Sequence, residues 1–223
     1  MVVLSGGLDS TTCLGLAHHQ GYELYALTFH YGQRHRREVE QAKQIARYYQ
    51  VKEHRLVQLD FLKEIGSSAL TDDRIKVPPG GAEKGIPSTY VPARNLIFLS
   101  LATAWAEVVG AEKIMIGVSA VDYSGYPDCR PQFIESMNRT VKLATKTGAE
   151  ERSIAIEAPL IQLSKAETIK LGMKLGVPYH LTTSCYHGEE LACGECDSCR
   201  LRIKGFKEAG YKDPIPYAIP INW

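Results

Sequence analysis

Short apolar runs alternate along the chain with stretches whose apolar residues recur at helical spacing. Met1–Leu4 reads as a clipped strand, and Leu24–Phe29 and His54–Gln58 as the next two. Between them the pattern predicts a helix over Thr11–His19 and another over Arg36–Tyr49, the second with Val39, Ala42, Ile45 and Ala46 on one face. Periodicity fades from Thr71 to Ser88, where Pro78, Pro79, Gly80, Gly81, Gly85 and Pro87 mark a long loop. It returns with a helix over Arg94–Val109, a strand over Lys113–Gly117, a loop over Ser119–Arg130 and a helix from Pro131 to about Thr147. A fifth strand fits Ile154–Glu157. Ser164 with Glu167 three residues on is a capping-box signature for a helix over Lys165–Leu175, which Gly176 and Pro178 stop.

Strands separated by helices of this length predict an α/β fold, a doubly wound parallel five-stranded sheet with helices on both faces. The expected division is a main domain over 1–180 and a small C-terminal segment over 181–223. Ligands of such sheets sit at the carboxyl ends of the strands, here after Leu4, Phe29, Gly117 and Glu157. The sequence becomes chemically unusual at those same places.

Composition narrows the function classes. The 223 residues are 44% hydrophobic, enough for a good core, and 26 Lys and Arg against 25 Asp and Glu leave a formal charge of +1. That balance gives no footprint for nucleic acid or a membrane surface, and neither partner is expected. No apolar run approaches the roughly 18 residues of a membrane span, and no signal-like stretch precedes the first strand, so a cytoplasmic location is expected. Six cysteines are present, of which Cys13 and Cys129 stand alone.

The first chemical signal is Leu4-Ser5-Gly6-Gly7-Leu8-Asp9-Ser10-Thr11-Thr12. Two glycines permit a tight turn with backbone N–H groups turned to one spot; hydroxyls and a helix N-terminus add to what is then an anion site. A plain strand–turn–helix junction capped by Asp9 or Ser10 accounts for any Gly-Gly turn equally well. The Gly-Lys-Ser/Thr ending of a Walker loop is missing, as is the Gly-x-Gly-x-x-Gly fingerprint. The full Ser-Gly-Gly-x-Asp-Ser string resembles the pyrophosphate-binding loop of the PP-loop ATP pyrophosphatases, which cleave ATP between the α and β phosphates and transfer AMP to a substrate oxygen.

That resemblance implies an adenine nucleotide alpha hydrolase-like fold and an ATP-binding stretch of Leu4, Ser5, Gly6, Gly7, Leu8, Asp9, Ser10, Thr11, Thr12, Cys13 and Leu14. It also implies that Asp9 stands near a Mg²⁺ ion that accompanies ATP. Lys165 is similar to a distant lysine that related enzymes direct at the phosphates. Taken alone, Lys165 is an ordinary lysine in a first helical turn, where a cation is mildly unfavourable without an anion nearby.

A second string, Gly117 to Arg130, carries Asp122, Tyr123, Tyr126, Asp128 and Arg130 after a predicted strand. Tyrosine can stack on a purine ring and a carboxylate can accept from the donors of a guanine edge, although a polar surface loop has the same composition. With Val91-Pro92-Ala93-Arg94-Asn95, His30-Tyr31-Gly32-Gln33-Arg34-His35 and the cysteine cluster below, it resembles the 7-cyano-7-deazaguanine synthase family of queuosine biosynthesis, from Leu4 to about Phe206. Ala93 stands where that family usually has glycine, which argues against a backbone conformation restricted to glycine.

The remaining cysteines are spaced Cys185-x7-Cys193-x2-Cys196-x2-Cys199. Four soft thiolates in a short loop suit a closed tetrahedral zinc site with a structural role. An iron–sulfur cluster is the rival reading, and His187 inside the loop is a substitute ligand. The helix through Arg202 and Phe206 is expected to open at Cys199, and the proline-rich stretch Asp213–Trp223 to be extended and to pack on a neighbour in a homodimer.

The resemblance implies an ATP-dependent carbon–nitrogen ligase whose small-molecule substrates are ATP, 7-carboxy-7-deazaguanine and ammonia. The acid would be adenylated, aminated to the amide, adenylated again and dehydrated to the nitrile. Lys165, Arg94 and Asp9 would carry the catalysis. Arg94, after Pro92 at a predicted helix start, suits a bidentate anion contact, and a surface arginine is its plain alternative. Three other readings stay open: a tRNA-thiolating PP-loop enzyme, transfer of the activated deazaguanine to a macromolecular amine, and a nucleotide-sensing module without turnover.

Overall fold

A computed structural model of the chain describes residues 1–33, 37–72, 74–76, 85–119, 125–187 and 190–223. Five parallel strands form one sheet, β1 (Val2–Val3), β2 (Tyr25–His30), β3 (Glu53–Gln58), β4 (Lys113–Met115) and β5 (Ala155–Glu157), in the order β3-β2-β1-β4-β5. The register pairs Val2 with Ala26 and Met115, and Lys113 with Ala155. The doubly wound expectation is therefore met. The strand order reverses between β1 and β4, which opens a crevice at their carboxyl ends.

Eight α-helices are described: α1 (Leu8–His19), α2 (Arg37–Tyr48), α3 (Asp60–Glu64), α4 (Arg94–Val109), α5 (Pro131–Ala144), α6 (Lys146–Ala149), α7 (Lys165–Lys174) and α8 (Asp197–Ala209). Residue alternation in the strands assigns the faces. Val3, Leu27 and Phe29 join a core with Phe98, Leu99 and Trp105 of α4 and Ile134 of α5, whereas Val2, Leu4 and Ala26 join Leu14 of α1 and Ile45 of α2. Fully covered strands read as unbroken apolar runs for this reason. A third cluster ties Leu8 of α1 to Ile169 of α7 and Phe206 of α8.

Several local readings need correction. α1 begins at Leu8, not Thr11, because Gly7 takes the extended N-cap conformation and its carbonyl already accepts from Thr11 N at 3.1 Å. The predicted helix from Pro131 to Thr147 breaks at Thr145, whose backbone is extended and whose hydroxyl caps Gly148 N; a Cβ on Gly148 would lie 2.1 Å from the Lys142 carbonyl oxygen. Ala93 does adopt the left-handed backbone (φ 53°, ψ 23°) that favours glycine. α8 starts at Asp197 with Cys196 as N-cap, so Cys199 lies within its first turn.

The end of the chain folds back on the chain itself. Asp213, almost fully buried, accepts from Arg202 Nε at 2.6 Å and from Tyr217 Oη at 2.7 Å. Arg202 also donates to Thr182 Oγ1 at 2.8 Å, and Tyr217 lies in a bridge with Ala192. This buried pair clamps residues 213–218 to the metal-ligand loop. Among the described residues no helix is long and apolar enough to cross a membrane.

Candidate active site and metal centre

The crevice between β1 and β4 holds a cavity of about 230 Å³. Ser5, Gly7, Leu8, Asp9 and Ser10 form one wall, with Arg94, Asn95 and Phe98 opposite, and Tyr31, Gln33, Glu38, Gly117, Tyr126 and Cys129 complete it. The switch point of the sheet thus gathers the first loop, the start of α4 and part of the second string into one cleft.

Local chemistry fixes the turn. Ser10 Oγ accepts from Ser5 N at 3.1 Å, lies 3.0 Å from Ser5 Oγ and donates to Gly7 O at 3.2 Å. Gly6 has φ +83°, and a Cβ there would meet the Glu38 carbonyl oxygen at 2.3 Å, so the first glycine lets α2 pack on the loop. Gly117 serves the same end from β4, since a Cβ would fall 2.7 Å from Ser10 N. Backbone contact on two sides holds the loop in one shape.

Not every residue of the predicted ATP stretch faces the cleft. Leu4, Ser5, Gly7, Leu8, Asp9 and Ser10 line it. Thr11 and Thr12 turn their hydroxyls back to Gly7 O and Leu8 O, and Thr12 also meets Tyr179 Oη at 2.8 Å. Cys13 and Leu14 are fully buried under the sheet, and burial, with Asp9 nearby, raises the Cys13 thiol. The last four positions of the stretch build the helix that holds the loop.

The three residues expected to carry catalysis lie around this region. Lys165 Nζ donates to Asp9 Oδ2 at 2.6 Å, both side chains being mostly buried. The other Asp9 oxygen, Oδ1, is buried and has no hydrogen-bond partner among the described residues. Lys165 arrives on the capping box of Ser164 and Glu167, which is formed as predicted. Arg94 lies over the Tyr31 ring, 5.8 Å from its centroid, and donates to Tyr31 Oη at 3.5 Å. Burial opposes the Arg94 charge, but Tyr31, Cys129, Asp128 and Tyr126 outweigh it, and the guanidinium stays protonated.

The second string is only partly brought to the cleft. Tyr126 lines it, with its hydroxyl 2.7 Å from Thr89 Oγ1. Asp128 is buried and accepts from Asn95 N at 2.8 Å, holding the first turn of α4 rather than facing the cavity. Arg130 is exposed at the start of α5 and does not line the cavity. Asp122 and Tyr123 lie outside the described residues, as does Arg34.

Tyr31 and Gln33 entered the sequence reading only as part of the His30–His35 string, with no role given, and Glu38, Thr183, Ser184, Tyr186 and Ser198 were missed; all seven line the cavity. Burial raises the Glu38 carboxyl to about 7 against the opposing pull of Arg94 and a hydrogen bond from Gln33. Thr183, Ser184, Tyr186 and Ser198 flank the metal ligands, and Thr183 N donates to Gly6 O at 3.0 Å. Their one signal in the sequence was proximity to Cys185 and Cys199.

The cysteine cluster closes beside this wall. One ligand atom each from Cys185, His187, Cys193 and Cys196 lies within 4.8 Å of the others, and Cys193 Sγ is 3.9 Å from Cys199 Sγ. Backbone N–H groups of His187 and Cys193 approach Cys185 Sγ at 3.4 Å, and Cys196 N approaches Cys193 Sγ at 3.3 Å. Such donors offset thiolate charge, so the site fits a soft divalent metal.

Residues 1–210 match the family described as queuosine biosynthesis protein QueC. The chain is 62% identical over 217 residues to a 7-cyano-7-deazaguanine synthase of Oceanobacillus iheyensis, with 97% of each covered. It is 60% identical to 7-cyano-7-deazaguanine synthase 2 of Desulfitobacterium hafniense, with 97% of this chain and 92% of that one covered. Among solved structures, an NMN synthetase from Francisella tularensis shares the fold at a TM-score of 0.53 and 15% identity, over 95% of this chain and 76% of that one. A cleft built on the Ser-Gly-Gly-x-Asp-Ser loop, a cysteine cluster against it and a family match over nearly the whole length place this chain in the QueC family of queuosine biosynthesis proteins.

Proposed function

We propose that the chain converts 7-carboxy-7-deazaguanine and ammonia to 7-cyano-7-deazaguanine at the expense of ATP, releasing AMP and pyrophosphate. The observation that carries this reading is the near-full-length identity to relatives bearing that enzyme's name. The thiolation reading is not favoured by those relatives.

The chemistry explains why such a cleft is needed. A carboxylate does not condense with ammonia, because its carbon is a poor electrophile and it has no leaving group, whereas an acyl adenylate has an electrophilic carbon and AMP as leaving group. Ser5, Gly7 and Ser10 would surround the departing pyrophosphate with N–H and hydroxyl donors. Lys165 and Arg94 would neutralise charge that grows on the transferring phosphorus, and Arg94 would orient the substrate carboxylate. Asp9, whose buried Oδ1 has no partner among the described residues, would hold the magnesium that travels with ATP and supplies further charge neutralisation at the phosphates. Tyr126, and Asp122 and Tyr123 of the same string, would receive the deazaguanine ring; Asp128 and Arg130 would set the loop that presents it.

The metal in this reading is zinc, with Cys185, Cys193, Cys196 and Cys199 as ligands. Cys199 is buried and His187 exposed, which favours the fourth thiolate over the imidazole. With no open position the zinc is structural, and residues 181–223 form its segment against the main domain of 1–180. A cytoplasmic homodimer completes the proposal; Val108 and Leu143 stand exposed on α4 and α5, apolar positions that an interface would cover.

The test is incubation with Mg-ATP, ammonium and 7-carboxy-7-deazaguanine, following nucleotides and product mass. AMP, pyrophosphate and the nitrile are expected. ADP in place of AMP, or no nitrile, refutes the reading.

A further inference from the structure

Glu38 is the cavity's acidic side chain that the chemistry above leaves without a task. It stands in the first turn of α2, directly behind the glycine turn, where its own carbonyl oxygen fills the space that a Gly6 Cβ would need. Its carboxylate lines the cavity with Arg94 and Tyr31 facing it and Asp9 on the adjoining loop. Gln33 bonds to it and is itself pinned, its amide donating to Phe29 O at 3.2 Å and accepting from Tyr31 N at 2.8 Å. The carboxylate is therefore held in place at the cleft wall, close to where Arg94 would orient the reacting carboxyl carbon.

On the adenylation reading, the reaction has a proton problem that no group yet solves. Attack by ammonia on the acyl adenylate puts a positive charge on nitrogen, and AMP cannot depart productively until that nitrogen loses a proton. Dehydration of the adenylated amide then requires further N–H protons to leave the same atom. We propose that Glu38 is the general base at that nitrogen in both stages.

In the first stage the ammonia lone pair forms the C–N bond while the carbonyl π pair moves to oxygen. The Glu38 carboxylate takes one N–H proton, the oxyanion re-forms the carbonyl, and the C–O bond to AMP breaks with its electron pair leaving on the phosphate. Glu38 then returns the proton to water. In the second stage the amide oxygen carries AMP; Glu38 takes one N–H proton, leaving a neutral O-adenylyl imidate, and passes it to water. It then takes the remaining N–H proton as that N–H pair completes the C≡N bond and AMP leaves with the former amide oxygen and the C–O bonding pair. A carboxyl whose proton affinity has been raised by burial is better matched to this work than one exposed to solvent.

The test compares wild type, Glu38→Gln and Glu38→Asp in two assays. Pyrophosphate exchange into ATP, dependent on 7-carboxy-7-deazaguanine, reads adenylation alone; amide formation from ammonium reads the base. Glu38→Gln should keep exchange within about threefold and lose about 100-fold or more in amide formation, the usual scale for a missing general base. Glu38→Asp should recover part of that loss. Equal losses in both assays, or amide formation by Glu38→Gln within threefold of wild type, overturn the role. Absence of exchange by the wild type would instead sink the adenylation reading on which this role rests.

Discussion

Asp9 and Lys165, 156 positions apart in the chain, meet at 2.6 Å at the edge of the cleft. The contact joins the first loop to the first turn of α7, so two stretches far apart in the chain must both be in place before the site exists. Lys165→Met keeps the aliphatic stem that packs against Gly205 and removes only the charge. Carboxylate-dependent pyrophosphate exchange should fall about 100-fold or more, the order seen when one preorganised charge-stabilising group is removed. A loss below tenfold would take Lys165 out of the catalytic set.

Ala93 offers a stability test independent of chemistry. Its left-handed backbone costs an alanine about 1 kcal/mol relative to glycine. Ala93→Gly should raise the melting temperature by about 2–4 °C in a chain of this size. A lowered melting temperature would show that the alanine methyl contributes more by packing than it costs in strain.

Metal removal should reach the Ser5–Ser10 loop. Thr183 N holds Gly6 O, and Ser184 and Tyr186 line the cavity two residues or fewer from Cys185. Zinc analysis should give about one ion per chain, since four thiolates make one tetrahedral site. Chelation under native conditions should expose amides of residues 182–199 to hydrogen exchange and weaken ATP binding in parallel. ATP binding unchanged in metal-free protein would separate the two sites.

Glu38 should leave a mark on stability against pH. Its folded pKa, about 7, lies above the ordinary glutamate value, so between roughly pH 4.5 and 7 the folded state holds the proton more tightly than the unfolded state. Stability from this group is full below that window and declines as pH rises through it. Glu38→Gln should flatten the decline in urea-denaturation free energies measured across the window. An unchanged profile would mean that Glu38 is better solvated than its position in the cleft implies.

Much of this arrangement is readable before any coordinates. The alternation of strands and helices, the Arg94–Val109 helix and the Ser164–Glu167 capping box follow from local patterns, because each is decided by residues near one another in the chain. The Ser-Gly-Gly-x-Asp-Ser string likewise announces its own turn. Glu38 was hidden because it follows Arg36 and Arg37 and reads as part of a solvated charge run. Asp128 misled for the opposite reason: a carboxylate in a polar loop looks free, and only the packing of Asn95 against it reveals the cap. Thr11, Thr12, Cys13 and Leu14 belong to a matching motif yet face the core, since a contiguous string says nothing about which side of a helix meets the ligand.

The central claim is that AMP is transferred to an oxygen of the substrate carboxyl group and then to the amide oxygen. Substrate labelled with ¹⁸O at both carboxyl oxygens tests it directly by mass spectrometry of the nucleotides. Each AMP formed on the way to the nitrile should carry one labelled oxygen in its phosphate, with none in pyrophosphate. Unlabelled AMP, or label appearing in pyrophosphate or inorganic phosphate, would contradict the account.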